Sequence, residues 1–203
     1  MIRRLISADE KERIEKRNKL IIVIILGTIM LISSASYAFM SFEGENSGVT
    51  VEKISVNGVE LSKTEYGTWK FTTQGRDFET RYNPQETTNV SIVLTKSLQN
   101  YANLPLYLGI DSREDLATSG NTEIISNIGT LLMKYQESCL TKNCTENLPI
   151  KNCSENNVII FKEINETKTS QIKENANCVY IDYKNQEELM AADAFIFKIL
   201  GLR

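Results

Sequence analysis

An uncharged run of 23 residues, Leu20–Phe42, constrains this chain more than any other feature of its sequence. About 20 helical residues cross a bilayer core, so the run is long enough to span a membrane and contact its lipids. Residues 1–19 carry seven Lys/Arg and four Asp/Glu, whereas acidic Glu43 and Glu45 follow the run. The positive-inside rule therefore places the N-terminus in the cytoplasm and the rest of the chain across the membrane.

This pattern predicts four parts of the chain. They are a cytoplasmic charged leader (1–19), a transmembrane helix or signal segment (20–42), a linker (43–48) and an extracytoplasmic domain (49–203). The fate of residues 20–42 has two alternatives. The length of the run favours a retained anchor in the cell membrane, but Ser36-Tyr37-Ala38 offers small residues for signal peptidase. Cleavage after Ala38 would make the protein secreted.

Composition excludes several classes of function for the downstream domain. Acidic residues outnumber basic ones by 26 to 23, and the leader holds an excess of the basic ones. A domain with this balance does not match the charge of nucleic acid. The chain contains no histidine, which removes Ser-His-Asp and Cys-His nucleophiles and His-bound metals. We expect no cofactor and no metal site, and no Gly-rich phosphate loop is present.

Four cysteines, Cys139, Cys144, Cys153 and Cys178, predict two disulfides, because exported cysteines oxidise. A four-thiolate zinc site is the alternative, but only the first pair has a suitable spacing. Of the three connectivities, we favour Cys139–Cys144, which closes a small loop. Cys153 and Cys178 would then link the starts of two strands at the same end of a sheet.

The first half of the domain reads as strands. Asn57-Gly58 separates two apolar-rich runs, which is a strong hairpin signal. Alternating residues at 68–73 and 78–82 extend this hairpin to a four-stranded meander with one apolar, aromatic face. Strands are also predicted at 90–95 and 104–110.

The second half combines a helix, three strands and a final helix. Apolar residues at helical spacing predict a helix from Asn121 or Thr122 through Tyr135 into Cys139. We expect strands at 158–164, 167–172 and 178–183 to form a meander, with a turn at Asn165-Glu166. The last helix spans 186–200, with Asn185 as N-cap, Glu188 in a capping box and Gly201 as its stop. The predicted fold class is α+β, with a mainly antiparallel or mixed sheet packed by two helices.

Two groups of polar residues are candidates for chemistry or modification. Asp111, Glu114 and Asp115 follow a strand and form a weak carboxylate cluster, where an ordinary solvated turn is the simpler interpretation. Four Asn-x-Ser/Thr sequons, at Asn89, Asn143, Asn152 and Asn165, are candidate glycosylation sites.

Two further patterns favour a structural role. Ser170 and Lys173 have the Ser-x-x-Lys spacing of serine acyl-enzymes, but they lie in a strand-like stretch instead of at a helix N-terminus. Trp69, Phe71, Phe78 and Tyr82 would suit sugar stacking, although an aromatic face on a meander usually belongs to the core.

The closing segments of the chain resemble an uncharacterised group of archaeal exported or single-pass membrane proteins. The similarity is carried by Pro149-Ile-Lys-Asn-Cys-Ser154, by Asn177-Cys-Val-Tyr-Ile-Asp182 and by the segment from Glu188 to Gly201. The resemblance implies an extracytoplasmic domain with several cysteines and brings no activity with it.

Together these patterns favour a membrane-tethered binding or structural module of the cell envelope over an enzyme. Its partner would be an envelope protein or a glycan. The alternative is an envelope hydrolase that uses carboxylates.

Overall fold

The computed structural model describes residues 13, 16–30, 52–110, 119–142, 144 and 147–203. The chain divides into two compact units, Met1–Thr50 and Val51–Arg203. Within the first unit, residues 16–30 form helix α1, and its apolar side chains between Leu20 and Met30 are exposed. None of the helices among the described residues combines the length and apolarity that crossing a membrane requires. The remainder of the uncharged run, the Ala38 cleavage position and the linker lie outside the described residues.

The second unit is an α+β fold that begins with a four-stranded antiparallel sheet. The strands pair in chain order, as the sequence predicts for a meander. Asn57 and Gly58 both have positive φ, 50° and 81°, which is the geometry that a two-residue hairpin turn requires. The strands are β1 Lys53–Val56, β2 Val59–Lys63, β3 Trp69–Thr73 and β4 Arg76–Thr80.

A second, six-stranded sheet is mixed and has the order β5-β9-β10-β8-β6-β7. Its neighbours run parallel except for β9 and β10, which are antiparallel. The strands are β5 Ser91–Val93, β6 Pro105–Ile110, β7 Lys134–Cys139, β8 Asn157–Glu163, β9 Gln171–Asn175 and β10 Cys178–Tyr183.

Among the described residues of this unit, two α-helices share one core with both sheets. Helix α2 spans Ser119–Ile128 and packs on α3, Glu188–Leu200. Phe71 of β3 lies 5.8 Å from Phe197 of α3 between ring centroids, which ties the meander to α3. The same core takes in one face of the mixed sheet, including Ile159 and Ile181. On the opposite face a smaller cluster forms around Tyr107, Val158, Ile160 and Cys178.

The predicted helix from residue 121 to Cys139 is too long. Helix α2 ends at Ile128, a 3₁₀ turn follows at Gly129–Leu131, and residues 134–139 form strand β7. Because β7 runs parallel to β6, the chain must cross back over the sheet, and α2 makes that crossover. Tyr135 is exposed, so its helical spacing from Leu131 is coincidental.

The predicted meander of the last three strands is also wrong. Strand β10 lies between β8 and β9, forming a hairpin with β9 and a parallel pair with β8. Val158, Ile159, Ile160 and Phe161 are all buried in succession, which marks β8 as a central strand covered on both faces. Such a strand favours parallel neighbours over a hairpin partner.

At the last helix, the end is confirmed and the start is not. Gly201 has φ 76°, and the backbone N–H groups of Gly201 and Leu202 donate to carbonyls of the last turn. The N-cap is Glu187 in place of Asn185, and no side chain caps the helix. Gln186 has φ 66°, so the chain turns sharply there and cannot begin the helix as expected.

Candidate functional site: a polar groove beside the meander

All four cysteines are paired as the sequence favours. Cys139 and Cys144 are 5.7 Å apart between Cα atoms, and Cys153 and Cys178 are 4.9 Å apart. Parallel pairing of β8 and β10 brings the starts of these two strands together, which explains the second disulfide. The first closes the end of strand β7 and not, as expected, the end of a helix. With their sulfurs bonded in pairs, these cysteines are not zinc ligands.

The carboxylates selected from the sequence, Asp111, Glu114 and Asp115, lie outside the described residues. The sequon residue Asn143 does too. Asn89, Asn152 and Asn165 are exposed, as a glycan would require.

Ser170 and Lys173 do not form a catalytic pair. The Ser170 hydroxyl donates to Glu187 and accepts from the backbone N–H of Lys184, whereas the Lys173 ammonium lies 2.8 Å from Asp182. The aromatic residues Trp69, Phe71 and Phe78 are buried in the core and Tyr82 is half-buried, so the four do not form an exposed stacking platform.

A groove of about 1080 Å³ lies between the meander and helix α2. Its walls carry charged, hydroxyl and amide groups from the strands and from the helix. The strands β2 to β4 and the residue after β4 contribute most of the polar lining, and α2 contributes three side chains. The polar lining residues are Glu60, Ser62, Thr68, Lys70, Thr72, Asp77, Glu79, Thr80, Arg81, Glu123, Ser126 and Asn127.

Cross-strand contacts organise the groove wall formed by β3 and β4. The Lys70 ammonium lies 3.4 Å from Glu79, and the Thr68 hydroxyl donates to the other oxygen of that carboxylate at 2.6 Å. Thr72 donates to Asp77 at 2.6 Å. These side chains sit on opposing positions of neighbouring strands, where such pairs hold register.

Asn127 fixes helix α2 against strand β4. Its side-chain oxygen accepts from the backbone N–H of Glu79 at 2.9 Å, and its amide donates to the carbonyl of Glu123 at 3.0 Å. Because Asn127 satisfies a strand N–H and a helix carbonyl together, it positions Glu123 at the groove.

Behind the groove, Glu123 meets the fully buried carboxyl of Asp193 on α3. One Asp193 oxygen accepts from the Tyr82 N–H at 2.8 Å, and the other has no donor among the described residues. Burial, and then the Glu123 charge, raise the pKa of Asp193 to about 9, and burial raises the pKa of Glu123. A proton on Asp193 donated to Glu123 satisfies the second oxygen.

Sequence reasoning missed both members of this pair. A signal existed for Asp193, because it is the one charge among Ala191, Ala192, Ala194 and Phe195 in the apolar part of α3. Nothing in the local sequence marks Glu123. Only the packing of α2 on α3 brings the two carboxyls together.

Comparison of the chain with protein-family models, with curated proteins and with solved structures found no match. The similarity to archaeal exported proteins accordingly stays an expectation from the sequence.

Proposed function

We propose that this protein is a membrane-tethered extracytoplasmic module of the cell envelope that binds a polar partner in the groove. The observation that carries the proposal is the groove itself, a concave surface large enough for a ligand. Its lining combines both signs of charge, hydroxyl groups and amide groups with the apolar side chains of Val59, Phe71, Phe78 and Leu189. Such a mixed surface suits a partner with polar and apolar faces, such as a polypeptide segment or a glycan. The proposal names an envelope protein or a glycan as partner on that ground.

The tether is supported by the first helix. Between Leu20 and Met30 the helix exposes large apolar side chains, with Val23 at 68% and Met30 at 76% of their full area. Exposed apolar surface of this extent is costly in water and favourable in lipid. The basic leader before it agrees with a cytoplasmic N-terminus.

The extracytoplasmic location is supported by the two disulfides. Structural disulfides persist in oxidising compartments and are rare in the cytosol. They fasten the segment between β7 and β8 near both of its ends, and the described residues of this segment belong to no helix or strand.

Membrane fractionation with mass spectrometry tests the tether. We expect the chain in the membrane pellet after carbonate extraction, with residues 20–42 present in the recovered mass. A soluble chain that begins after Ala38 would contradict the tether. It would not affect the proposal that the groove binds a partner, which is tested separately.

The groove is tested by filling it. Ser126 is an exposed groove residue of α2, and we expect Ser126→Trp to block the cavity without disturbing the core. Thr88→Trp is the matched control, because Thr88 is exposed and does not line the groove. After crosslinking in native membranes, the wild type and the control should retain the same partner and Ser126→Trp should lose it. Equal retention by all three proteins would overturn binding in the groove.

A second candidate function is an envelope hydrolase. It is favoured by one observation, that Glu79 and Glu123 line the same groove and burial raises the pKa of Glu123. A carboxyl with a raised pKa in the same groove as a second carboxylate is an arrangement that general acid and base catalysis uses. Glu123 would exchange the proton and Glu79 would orient water or stabilise charge.

Hydrolysis is tested with envelope polysaccharide and envelope protein as substrates, by measuring new reducing ends and new amino groups. Glu123→Gln and Glu79→Gln should each lower the rate at least about a hundredfold, since each removes an acid–base group. Glu163→Gln, an exposed residue outside the groove, is the control. No product with the wild type, or equal rates in all variants, would contradict this function.

A further inference from the structure

A second pocket, of about 460 Å³, lies at the edge of the mixed sheet where strands β6, β8 and β10 begin. No residue lines both this pocket and the groove. Its lining is unusually rich in side-chain amides and holds a single lysine. The amide residues are Gln99, Asn100, Asn156, Asn157 and Asn177, and the lysine is Lys96.

The Lys96 ammonium is buried from solvent and has no hydrogen-bond partner among the described residues. The Tyr101 ring lies 6.0 Å away, at the limit of a cation–π contact. Glu174 attracts the charge at longer range, but its oxygens accept from the side chain and backbone of Thr95. Burial lowers the pKa of Lys96. An ammonium in this position is costly until an acceptor enters the pocket.

The amides offer both kinds of hydrogen-bonding atom. Asn157 donates to the carbonyl of Asn100, and Asn177 donates to the carbonyl of Ser154, so the two side-chain oxygens stay without a donor among the described residues. The side-chain oxygens of Asn100 and Asn156 instead accept hydrogen bonds from backbone N–H groups. The NH₂ groups of these two side chains have no acceptor among the described residues. The pocket therefore presents donors and acceptors side by side.

Backbone contacts and a disulfide hold these amides in place. Asn177 precedes Cys178 and its N–H donates to the carbonyl of Cys153 at 2.8 Å, next to the bond between these cysteines. The Asn156 N–H donates to the carbonyl of Asn152 at 3.1 Å. A site whose polar groups are ordered before binding loses less entropy when a ligand arrives.

We propose that this pocket is a binding site for a neutral saccharide. Hydroxyl groups donate and accept together, as the mixed amide lining requires. The Lys96 side chain would turn from its buried position to donate to a hydroxyl or ring oxygen, and Leu104 and Pro105 give an apolar surface for the C–H face of the sugar. A neutral ligand suffices, because Glu155 at the pocket and the attraction of Glu174 already offset the charge of Lys96, so the acceptor that the ammonium lacks need not be an anion.

The test uses the 203-residue chain in a detergent without a sugar headgroup, probed with immobilised oligosaccharides. One set contains neutral hexoses and N-acetylhexosamines, and the other contains uronates. We expect the wild type to bind members of the neutral set. Gln99→Ala, at an exposed position with no bond to other described side chains, should weaken binding about fivefold, and Lys96→Met about tenfold or more.

Gln136→Ala and Lys168→Met are the matched controls, since both residues are exposed and neither lines the pocket. They should bind as the wild type does. Lys96→Met should unfold at the same temperature as the wild type or higher, because it removes a buried charge. Binding confined to uronates, no binding at all, or binding unchanged by Gln99→Ala and Lys96→Met would overturn the proposal. Because the pocket and the groove share no residue, blocking the groove with Ser126→Trp should leave saccharide binding intact.

Discussion

At the scale of single residues, the most unusual group of this protein is the buried carboxyl of Asp193. It lies in the core on α3, where an isolated negative charge is unfavourable. The Tyr82 N–H satisfies one oxygen, and a proton shared with Glu123 satisfies the other. The pair therefore joins β4, α2 and α3 only while it retains that proton.

This arrangement predicts a pH dependence of stability. The folded pKa of Asp193, about 9, lies above its ordinary value, so the folded state binds more protons than the unfolded state between about pH 4 and pH 9. The stability that the protonated Asp193 contributes to the fold is complete below pH 4 and is lost as the pH rises through this window. Asp193→Asn supplies a permanent N–H donor in place of the proton. We expect the thermal midpoint of this variant to fall less than that of the wild type between pH 5 and pH 9, with a difference between the two falls of at least about 2–4 °C.

Asp77→Asn is the control, because it changes an exposed aspartate of β4 and should keep the slope of the wild type. Thermal unfolding followed by circular dichroism at several pH values measures both. The same slope in Asp193→Asn and the wild type would show that the pair carries no shared proton.

At the scale of elements, the smaller core depends on close packing between side chains of β8 and the backbone of β6. Gly109 of β6 lies opposite Ile160 of β8, and a Cβ atom at Gly109 would come within 2.8 Å of both Ile160 and Val158. A side chain larger than hydrogen therefore does not fit between these two strands. The glycine is needed for this approach and not for a turn.

We expect Gly109→Ala to lower the free energy of unfolding by about 1–3 kcal/mol, the usual cost of overpacking. Val158→Ala removes one of the two side-chain carbons that would lie 2.8 Å from the new Cβ. The double variant should consequently lose less stability than the sum of the two single variants in denaturant titrations. Strictly additive losses would show that the cost of Gly109→Ala does not come from contact between the new Cβ and Val158.

The same scale shows where sequence patterns mislead. Leu131 and Tyr135 match a helical period, but the crossover geometry of β6 and β7 makes residues 134–139 a strand. The turn after Glu163 suggests a hairpin, but β10 takes the place beside β8. Short apolar runs fit helix and strand alike, and partner choice depends on residues far away in the chain.

At the scale of the whole molecule, the two disulfides restrain the long connection between β7 and β8. Their loops differ in size, with separations of 25 residues for Cys153–Cys178 and 5 residues for Cys139–Cys144. Chain entropy predicts a stabilisation of about 3.5 kcal/mol for the larger loop and about 2 kcal/mol for the smaller one.

The Cys153→Ala/Cys178→Ala variant should therefore lose more stability than Cys139→Ala/Cys144→Ala in denaturant unfolding without reductant. Saccharide binding should weaken in the first variant, since that bond lies next to the asparagines of the pocket. An equal or larger stability loss from the smaller loop would contradict the ranking.

The sequence by itself determines the features that depend on neighbouring residues. Asn57-Gly58 specifies the hairpin of the meander, alternation specifies its buried aromatic face, and Gly201 specifies the end of the last helix. The tertiary structure alone decides the order of β8, β9 and β10 and the meeting of Glu123 with Asp193. Tyr82 and Asp193 are 111 residues apart, and no local pattern encodes a hydrogen bond between them. Local sequence controls turns and periodicity, whereas sites form where distant elements pack together.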